Sequence, residues 1–393
     1  MEIFLILAMI LSYFFAKRDK RARYIQMNTA ALIDKYFSCE DIYAFLDLAK
    51  NEIFVDSFGL NRFFRCEYHK IPFMLKIAFQ RISPVTRGES GKNTRISHVE
   101  AEIKILTLIR EKIIKKNYSP AFVEILHVIR CPGLSKITIT PEECKRVNKG
   151  LLDVMYDSIT NTFCEMSQAA RLKLCEDTYT YIAMEHCNHT LYKLLQYAGE
   201  SNEKWLVDVI KSAFFVILHG LYVIKALYPS FLHDDLHLGN IMFVYDSEFN
   251  HSIRKTGQYC RYYVDGVSYD IPFYGLYPKI IDFGFSRIDE IAAISEQQGD
   301  KWYSFISDKN DVTTLLARAY RLNSGFKTRN SVKIMEFLGS LDPQETYLYV
   351  SAQIVKTLKP LIAKDILLSR AFSKYRTLTP KKTYYKSYDP LKV

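Results

Sequence analysis

The residues that could do chemistry fall in two short motifs in the second half of the chain. The first, FLHDDLHLGNIMF at 231–243, places Asp235 and Asn240 in an H-x-D-x-x-x-x-N pattern. The second, KIIDFGFSR at 279–287, opens a D-F-G triplet with Asp282. In phosphoryl transfer, one carboxylate accepts the proton of the attacking hydroxyl, and a carboxylate and an amide hold the magnesium ions. The pattern predicts Asp235 as the base and Asn240 and Asp282 as Mg²⁺ ligands, because Mg²⁺ prefers oxygen.

Neither motif is specific alone, since D-F-G occurs by chance and an Asp-rich turn after a helix is usually a capping turn. The elements around the motifs make the combination specific. A long apolar segment, Trp205–Leu227, predicts a helix before the first motif, and an apolar run at Ile280–Ile281 precedes the second. The order of helix, loop, strand and D-F-G therefore favours one catalytic site over a chance occurrence of two motifs.

The first half of the chain has a different character. Three strand-like runs lie between Glu52 and Phe79, and a polar loop separates them from a helix that Ser97 and Glu100 could cap. A further strand-like run covers Thr178–Glu185. A small strand-rich region followed by a mostly helical one predicts a two-lobed α+β enzyme with a cleft between the lobes.

With these motifs in order, the chain resembles the protein-kinase superfamily. The loop HDDLHLGN, in place of HRDLKPEN, looks like that of haspin kinases and of aminoglycoside- and lipopolysaccharide-kinase relatives. Between Asn240 and Asp282 lies a long insert in which Asp265-Gly266, flanked by aromatic runs, predicts a hairpin. That insert resembles serine/threonine kinases of nucleocytoplasmic large DNA viruses, of poxvirus, iridovirus and mimivirus type. The resemblance covers the chain from about Glu52 to Leu322.

The resemblance implies a bilobal protein-kinase-like fold of class α+β. Its segments would be an apolar start with a basic flank (1–23), an extension (24–51), a β-rich N-lobe (52–187), a mainly helical C-lobe (188–372) with a hairpin insert (244–278), and a basic tail (373–393).

The resemblance also assigns residues to the phosphates. Lys76, inside an apolar strand, matches the lysine that pairs with the α- and β-phosphates. A lysine there is costly unless it is paired. Glu102 matches the helix glutamate that would hold Lys76, and Glu100 is the competing choice.

Further matches concern the adenine and the catalytic loop. In YIAMEHCNHT, Met184 would be the gatekeeper, and the backbones of Glu185 and Cys187 would hold the adenine edge. His237 stands where kinases carry a lysine and could hydrogen-bond a phosphate oxygen. Asp311 matches the aspartate that begins a large helix and props the catalytic loop.

Three departures from the family pattern stand out. Only Gly59 fits the pattern of the glycine-rich phosphate loop. The loss of the other glycines is the main argument for a pseudokinase. Asp234 replaces the arginine that answers a phosphate on the activation loop, so that switch is not expected. No A-P-E follows D-F-G, so the platform for peptide substrates is shortened or rebuilt.

The expected function is therefore an ATP-dependent serine/threonine protein kinase that uses ATP and Mg²⁺. Its partners would be ATP and a protein substrate with Ser or Thr hydroxyls. Two alternatives stay open: a small-molecule phosphotransferase of aminoglycoside-kinase type and a catalytically weak pseudokinase scaffold.

Composition narrows the class and the location. The chain has 393 residues, a net charge of +10 and 14% aromatic residues, which fits an ordinary globular protein. The charge is dispersed, so a nucleic-acid partner is not favoured and the aromatic residues predict an aromatic core. The eight Cys lack zinc-site spacing and predict reduced thiols in the cytoplasm, either of a host cell or in a virion if the protein is viral.

The two ends of the chain are distinctive. Ile3–Phe15 is apolar and precedes the basic run KRDKRAR, with three readings open: a membrane anchor, a helix buried on the domain, or an atypical signal. Membrane contact would be made through residues 3–15. The basic, aromatic C-terminal stretch is expected to be a solvated tail.

Overall fold

A computed structural model describes residues 39, 41–55, 61–68, 71–81, 98–137, 151–246, 253–289, 311–342, 361–377 and 384–391. The chain divides into two compact units. The first is drawn from residues 1–87 and 125–186, and the second from 88–124 and 187–393.

Ten strands occur in the described residues. In chain order they are β1 (Ala49–Val55), β2 (Asn61–Tyr68), β3 (Ile71–Arg81), β4 (Ile125–Pro132), β5 (Cys175–Glu185), β6 (Ile241–Tyr245), β7 (Tyr259–Val264), β8 (Val267–Pro272), β9 (Leu276–Ile280) and β10 (Tyr384–Ser387).

Seven α-helices occur in the same residues. They are α1 (His98–Ile109), α2 (Leu151–Arg171), α3 (Leu191–Glu200), α4 (Trp205–Leu227), α5 (Asp311–Ser324), α6 (Arg329–Leu341) and α7 (Ala363–Leu368). A π-helical turn, Arg110–Ile114, continues α1.

The first unit is built on one antiparallel sheet in the order β1-β2-β3-β5-β4. Alternate residues of its strands point into an aromatic core, as a strand period of two requires. In this core Phe163 of α2 lies edge-on to Tyr179 of β5, with ring centroids 4.9 Å apart, and Phe79 of β3 lies 5.1 Å from Phe163. The prediction of an aromatic core is confirmed here.

The second unit is organised around α4, which is apolar on nearly every face and is buried along most of its length. By length and composition α4 could also cross a membrane, and no other helix among the described residues meets those criteria. Because 83% of its most apolar window is buried inside the protein, α4 reads as a core helix. Ile3–Phe15 lies outside the described residues, so membrane contact there stays a prediction.

Two small sheets complete the second unit. β6 and β9 form an antiparallel ladder, and β7 and β8 form a hairpin to which β10 adds as a parallel strand. The hairpin turn lies at Asp265-Gly266, where both residues have positive φ, as the predicted two-residue turn requires. The predicted hairpin is therefore confirmed.

The predicted α+β class is confirmed, with a sheet-rich region and a helical region. The predicted runs at 61–68, 71–79 and 178–185 lie in β2, β3 and β5, and Trp205–Leu227 forms α4. Sequence reasoning missed β4, α2 and β10. β10 also corrects the expectation of a solvated tail, since Tyr385 and Tyr388 are buried.

One stretch inside the predicted segment 52–187 belongs to the other unit. Residues 88–124, which include α1, belong to the second unit. The reason is backbone pairing: the Ile280 N–H donates to the Ala121 carbonyl at 2.7 Å, and the Val123 N–H donates to the Ile280 carbonyl at 3.1 Å. The helix that carries Glu102 is thus joined to the strand that leads into D-F-G.

The cysteines require a correction. Cys39 and Cys131 form a disulfide in the first unit, and Cys164 is disulfide-bonded as well. The expectation of reduced thiols is wrong for these residues, because spacing along the chain does not reveal which thiols folding brings together. The thiol argument for a cytoplasmic location therefore does not hold.

Candidate active site

The β6–β9 ladder positions the two predicted metal ligands. Asn240 immediately precedes β6 and Asp282 follows β9, and the register pairs Ile241 with Ile280. The Ile281 N–H donates to the Asn240 carbonyl at 3.0 Å, which extends the ladder by one hydrogen bond toward the loops. Both loops therefore leave the same end of the ladder.

The side-chain amide of Asn240 is oriented by Asp235. Its NH₂ group donates to the Asp235 carbonyl at 2.9 Å and to the Asp235 carboxylate at 3.2 Å. Because the nitrogen is used in this way, Oδ1 is the atom left to face a cation. Asn240 is thereby fixed in the orientation that a metal ligand needs.

The carboxylates of Asp282 and Glu102 both approach Gly284. A Cβ placed on Gly284 would lie 3.4 Å from Asp282 Oδ1 and 3.9 Å from Glu102 Oε2. Glu102 is 3% exposed, whereas Glu100 is only partly buried, which favours Glu102 over Glu100. Asp282 has φ +61°, a left-handed conformation that a non-glycine residue adopts only when its surroundings enforce it.

His237 is held beside Asp235 in one tautomer. The Gly239 N–H donates to His237 Nδ1 at 2.9 Å, so Nδ1 is an acceptor and the neutral ring carries its proton on Nε2. His237 Nε2 lies 3.7 Å from Asp235 Oδ2. Burial lowers the pKa of His237, so the ring is neutral near pH 7 and directs an N–H toward the carboxylate.

Burial raises the pKa of the Asp235 carboxyl, and the nearby Asp282 charge raises it further. His237, His233 and Arg318 act in the opposite direction. A carboxylate whose pKa is raised is a stronger base than one in water, which suits a group that accepts a proton.

The backbone of this loop is fixed from two sides. The Asp311 carboxylate accepts the N–H groups of His233 at 2.9 Å and Asp234 at 3.1 Å, so its predicted role as a prop is confirmed. His233 is fully buried, and its Nε2 lies 2.9 Å from the Ile281 carbonyl. Through these contacts the loop at 233–235 is tied to Ile281, the residue that precedes Asp282.

An ion pair adds a third tie. Arg287 Nε lies 2.7 Å from Asp234 Oδ2, and the backbones of Leu232 and Arg287 exchange hydrogen bonds of 3.0 and 2.9 Å. Asp234, which was noted as the replacement of an arginine, thus pairs with Arg287, a basic residue just after D-F-G. Sequence reasoning noted Asp234 as a missing arginine but did not find its partner.

In the first unit, Lys76 lies on β3 opposite Phe63 of β2 and Ile182 of β5. It is 3% exposed, and its ammonium lies 5.4 Å from the centroid of the Phe63 ring. Met184 and Glu185 end β5, where Met184 is paired with Met74 and is buried.

Cys187 opens the second-unit segment after β5 and is a buried free thiol. The Asn188 N–H donates to the Phe243 carbonyl at 2.8 Å, and the Phe243 N–H donates to the His189 carbonyl at 2.9 Å. The Thr190 hydroxyl then accepts the Lys193 N–H and caps α3. The predicted strand-to-helix segment is therefore fastened to β6 of the ladder.

The structure thus gathers part of the predicted set within the second unit: Asp235, His237, Asn240, Asp282 and Glu102. Lys76, Met184 and Glu185 belong to the first unit, and Gly59 lies outside the described residues. Gly239 and His233 were missed as positioning residues. The signal for both was their fixed place inside the HDDLHLGN motif.

The donor set suits a magnesium ion. One carboxylate, Asp282, and one amide oxygen, from Asn240, would leave most coordination positions to water and phosphate, as Mg²⁺ sites with nucleotides require. Among the described residues there is no group of three or more His, Cys, Asp or Glu side chains that could hold a metal on its own.

Comparison with known proteins supports a kinase-like relationship. No family model matches the chain. A protein of Acanthamoeba polyphaga mimivirus named "Putative serine/threonine-protein kinase" is 25% identical over 239 residues, which are 56% of this chain and 59% of that protein. A Dictyostelium discoideum protein named "Probable serine/threonine-protein kinase" is 26% identical over 147 residues, 35% of this chain and 11% of that protein. The aligned part therefore spans little more than half of the mimivirus protein and a small part of the other.

Proposed function

We propose that this chain is a serine/threonine protein kinase of bilobal fold that transfers the γ-phosphate of Mg-ATP to protein hydroxyls. The observation that carries the proposal is the arrangement in the second unit, where Asp235 orients the Asn240 amide and the carboxylates of Asp282 and Glu102 both approach Gly284. The kinase names of the two relatives support the same class.

In this proposal Asp235 accepts the proton of the attacking hydroxyl, and its raised pKa favours that step. Asn240 Oδ1 and the Asp282 carboxylate hold Mg²⁺, which when bound neutralises the charge of the triphosphate. The His237 Nε2–H, 3.7 Å from the Asp235 carboxylate, could donate to a phosphate oxygen. Lys76, held by Glu102, pairs with the α- and β-phosphates.

The adenine would be held by the backbones of Glu185 and Cys187, with Met184 as gatekeeper. Burial of Lys76 supports its pairing with anionic groups, because an ammonium is costly to bury unless it is paired. The viral type and the haspin-like loop are proposed on the motif and insert alone.

The test is phosphotransfer by the full chain from Mg-ATP, with autophosphorylation, protein acceptors and aminoglycosides assayed side by side. Asp235→Ala and Asp282→Ala should each lower the rate by about a hundredfold or more, since each removes a group that acts on the reacting atoms. Asp365→Ala, at an exposed carboxylate on α7, is the matched control and should keep the wild-type rate.

Circular dichroism should show that all three variants keep the wild-type fold. Transfer to aminoglycosides but not to protein would replace the protein-kinase assignment with the small-molecule one. ATP binding by a wild-type protein that transfers phosphate to none of these acceptors would support the pseudokinase scaffold instead.

A further inference from the structure

The C-terminal strand β10 contacts three elements of the second unit. It pairs in parallel with β7, which places Tyr384 opposite Tyr259 and Ser387 opposite Arg261. The Tyr388 ring stacks on Tyr262 of β7 with centroids 4.8 Å apart, and both rings are almost fully buried. This part of the chain is therefore an integral strand of the second unit.

Tyr385 joins β10 to the β6–β9 ladder. Its ring stacks on Phe273, with centroids 4.3 Å apart and planes at 9°, and its hydroxyl donates to the carboxylate of Asp246. Asp246 directly follows β6, and its N–H donates to the Gly275 carbonyl at 2.8 Å, next to the start of β9. Tyr385 thus fastens the end of the ladder opposite to Asn240 and Asp282.

Asn117 joins β10 to the helical segment that carries Glu102. The Asn117 side-chain amide donates to the Ser387 carbonyl at 3.0 Å, and the Asp389 N–H donates to the Asn117 carbonyl at 2.8 Å. Asn117, with φ +55°, lies in the turn that ends α1 and its π-helical continuation. The same short strand therefore holds the far ends of both elements that bring Asp282 and Glu102 to Gly284.

We propose that residues 384–389, which are β10 and the two residues after it, form a strap, and that Tyr385 is a positioning residue for the proposed metal ligands Asn240 and Asp282. The effect on catalysis rests on the proposed function, whereas the mechanical effect on the ladder does not.

The physical basis is the small size of the ladder. Two paired strands are marginally stable by themselves and need packing against other elements. Asp246, which the Tyr385 hydroxyl contacts, is six residues along the strand from Asn240, a distance of about 20 Å at the rise of a β-strand. A fastened far end prevents fraying of the backbone pairs, the last of which joins Ile281 to Asn240.

The test is amide hydrogen exchange on the full chain, for wild type and for Tyr385→Ala, Tyr385→Phe and Ser387→Ala. Tyr385→Ala should speed exchange in β6, β9 and at Ile281 by about tenfold, because local opening is governed by the contacts that close it. Exchange in α6, which lies outside these contacts, should not change. Ser387→Ala is the matched control, since its side chain is exposed and its carbonyl is kept.

Tyr385→Phe keeps the ring stack and removes the hydrogen bond to Asp246, so a smaller acceleration of about threefold is expected in the same amides. If Tyr385→Ala destabilises the whole second unit, the exchange rates of Tyr385→Phe test the strap instead. Wild-type exchange in the ladder of a folded Tyr385→Ala variant would overturn the strap. Wild-type exchange there in Tyr385→Phe, when Tyr385→Ala is globally unfolded, would overturn it as well.

Phosphotransfer kinetics give a second test of the role of Tyr385. If the proposed function holds, Tyr385→Ala should lower kcat about tenfold and raise the Mg²⁺ concentration for half-maximal rate, because misplaced ligands weaken the metal site. A merely structural strand would lower the amount of active protein without moving the Mg²⁺ requirement, and that result would overturn the positioning role. If the wild type transfers no phosphate, the proposed function fails while hydrogen exchange still decides the strap.

Discussion

At the scale of single residues, the tautomer of His237 depends on a glycine. A Cβ on Gly239 would lie 2.8 Å from His237 Cε1 and 3.0 Å from Nδ1. The close approach lets the Gly239 N–H reach Nδ1 and leaves the proton on Nε2, facing Asp235. Gly239 of the HDDLHLGN motif therefore fixes the tautomer of His237.

Gly239→Ala should displace the His237 ring and lower kcat by about tenfold or more, while the melting temperature changes little. Steady-state phosphotransfer and thermal denaturation measure the two effects. Gly325→Ala is the matched control, because the atom nearest to its new Cβ is a carbonyl oxygen at an ordinary 3.6 Å. A wild-type kcat in Gly239→Ala would show that the ring contact is irrelevant to catalysis.

Asp234 is a partly buried acid paired with Arg287. Burial raises its pKa to about 6, with the Arg287 charge opposing that shift and Asp311 adding to it. Since the unfolded pKa is near 4, the folded state binds the proton more tightly between about pH 4 and 6. The stability contributed by protonated Asp234 is therefore complete below about pH 4 and is lost as the pH rises through 6.

Denaturant unfolding of wild type and Asp234→Asn across pH 4 to 7 should reveal this. Relative to the variant, the wild type should lose about 2 kcal/mol as the pH rises, less than the full shift implies because the Arg287 side of the pair is exposed. His233 and Asp311, which flank the site, are common to both proteins. Parallel stability curves for the two proteins would contradict the assignment.

At the scale of elements, α4 approaches the segment before β4 very closely. A Cβ on Gly220 would lie 2.5 Å from the Cβ of Ala121 and 3.4 Å from the Phe122 ring. Both neighbours are fully buried, and Phe122 forms a β-bridge with Ile280. The packing of α4 thus supports the strand that leads into D-F-G.

Gly220→Ala should destabilise the protein by about 1–3 kcal/mol, because the added methyl group overpacks a rigid contact. Chemical denaturation measures this loss. Ser212→Ala, a control in the same helix, removes a buried hydroxyl that has no hydrogen-bond partner among the described residues, so its stability should be unchanged or slightly higher. An unchanged stability in Gly220→Ala would mean that the helix can shift without cost.

At the scale of the whole molecule, a covalent cross-link constrains the first unit. Cys39 and Cys131 are 92 residues apart in sequence, and their bond joins the segment before β1 to β4 at the sheet edge. A cross-link over so long a stretch removes much of the freedom of the unfolded chain. The free thiols Cys66, Cys175, Cys187 and Cys260 are all buried.

Cys39→Ser and Cys131→Ser should each lower the free energy of unfolding by about 2–4 kcal/mol. The double variant should be about as stable as either single variant, since all three lack the same bond. Urea denaturation of the non-reduced proteins measures this cycle. Additive losses in the double variant would show that the two thiols act separately.

The sequence by itself determined the local features of this protein. The alternation of apolar residues predicted β2, β3 and β5, the all-apolar run predicted α4, and Asp265-Gly266 predicted a hairpin. Asp235, Asn240 and Asp282 could be predicted as site residues because the motif depends on residue type and short spacing. These features share one cause: each is encoded within a few residues of its own position.

Only the tertiary structure decided the features that join distant positions. The pairing of Asp234 with Arg287, the disulfide between Cys39 and Cys131, and the burial of Tyr385 on Phe273 each bring together residues more than 50 apart. Residue type gave no sign of these partners, because an acid, a thiol or a tyrosine can be solvated as easily as paired. Which of them is buried is fixed by the packing of the whole unit, since burial free energy depends on the neighbours that the fold supplies.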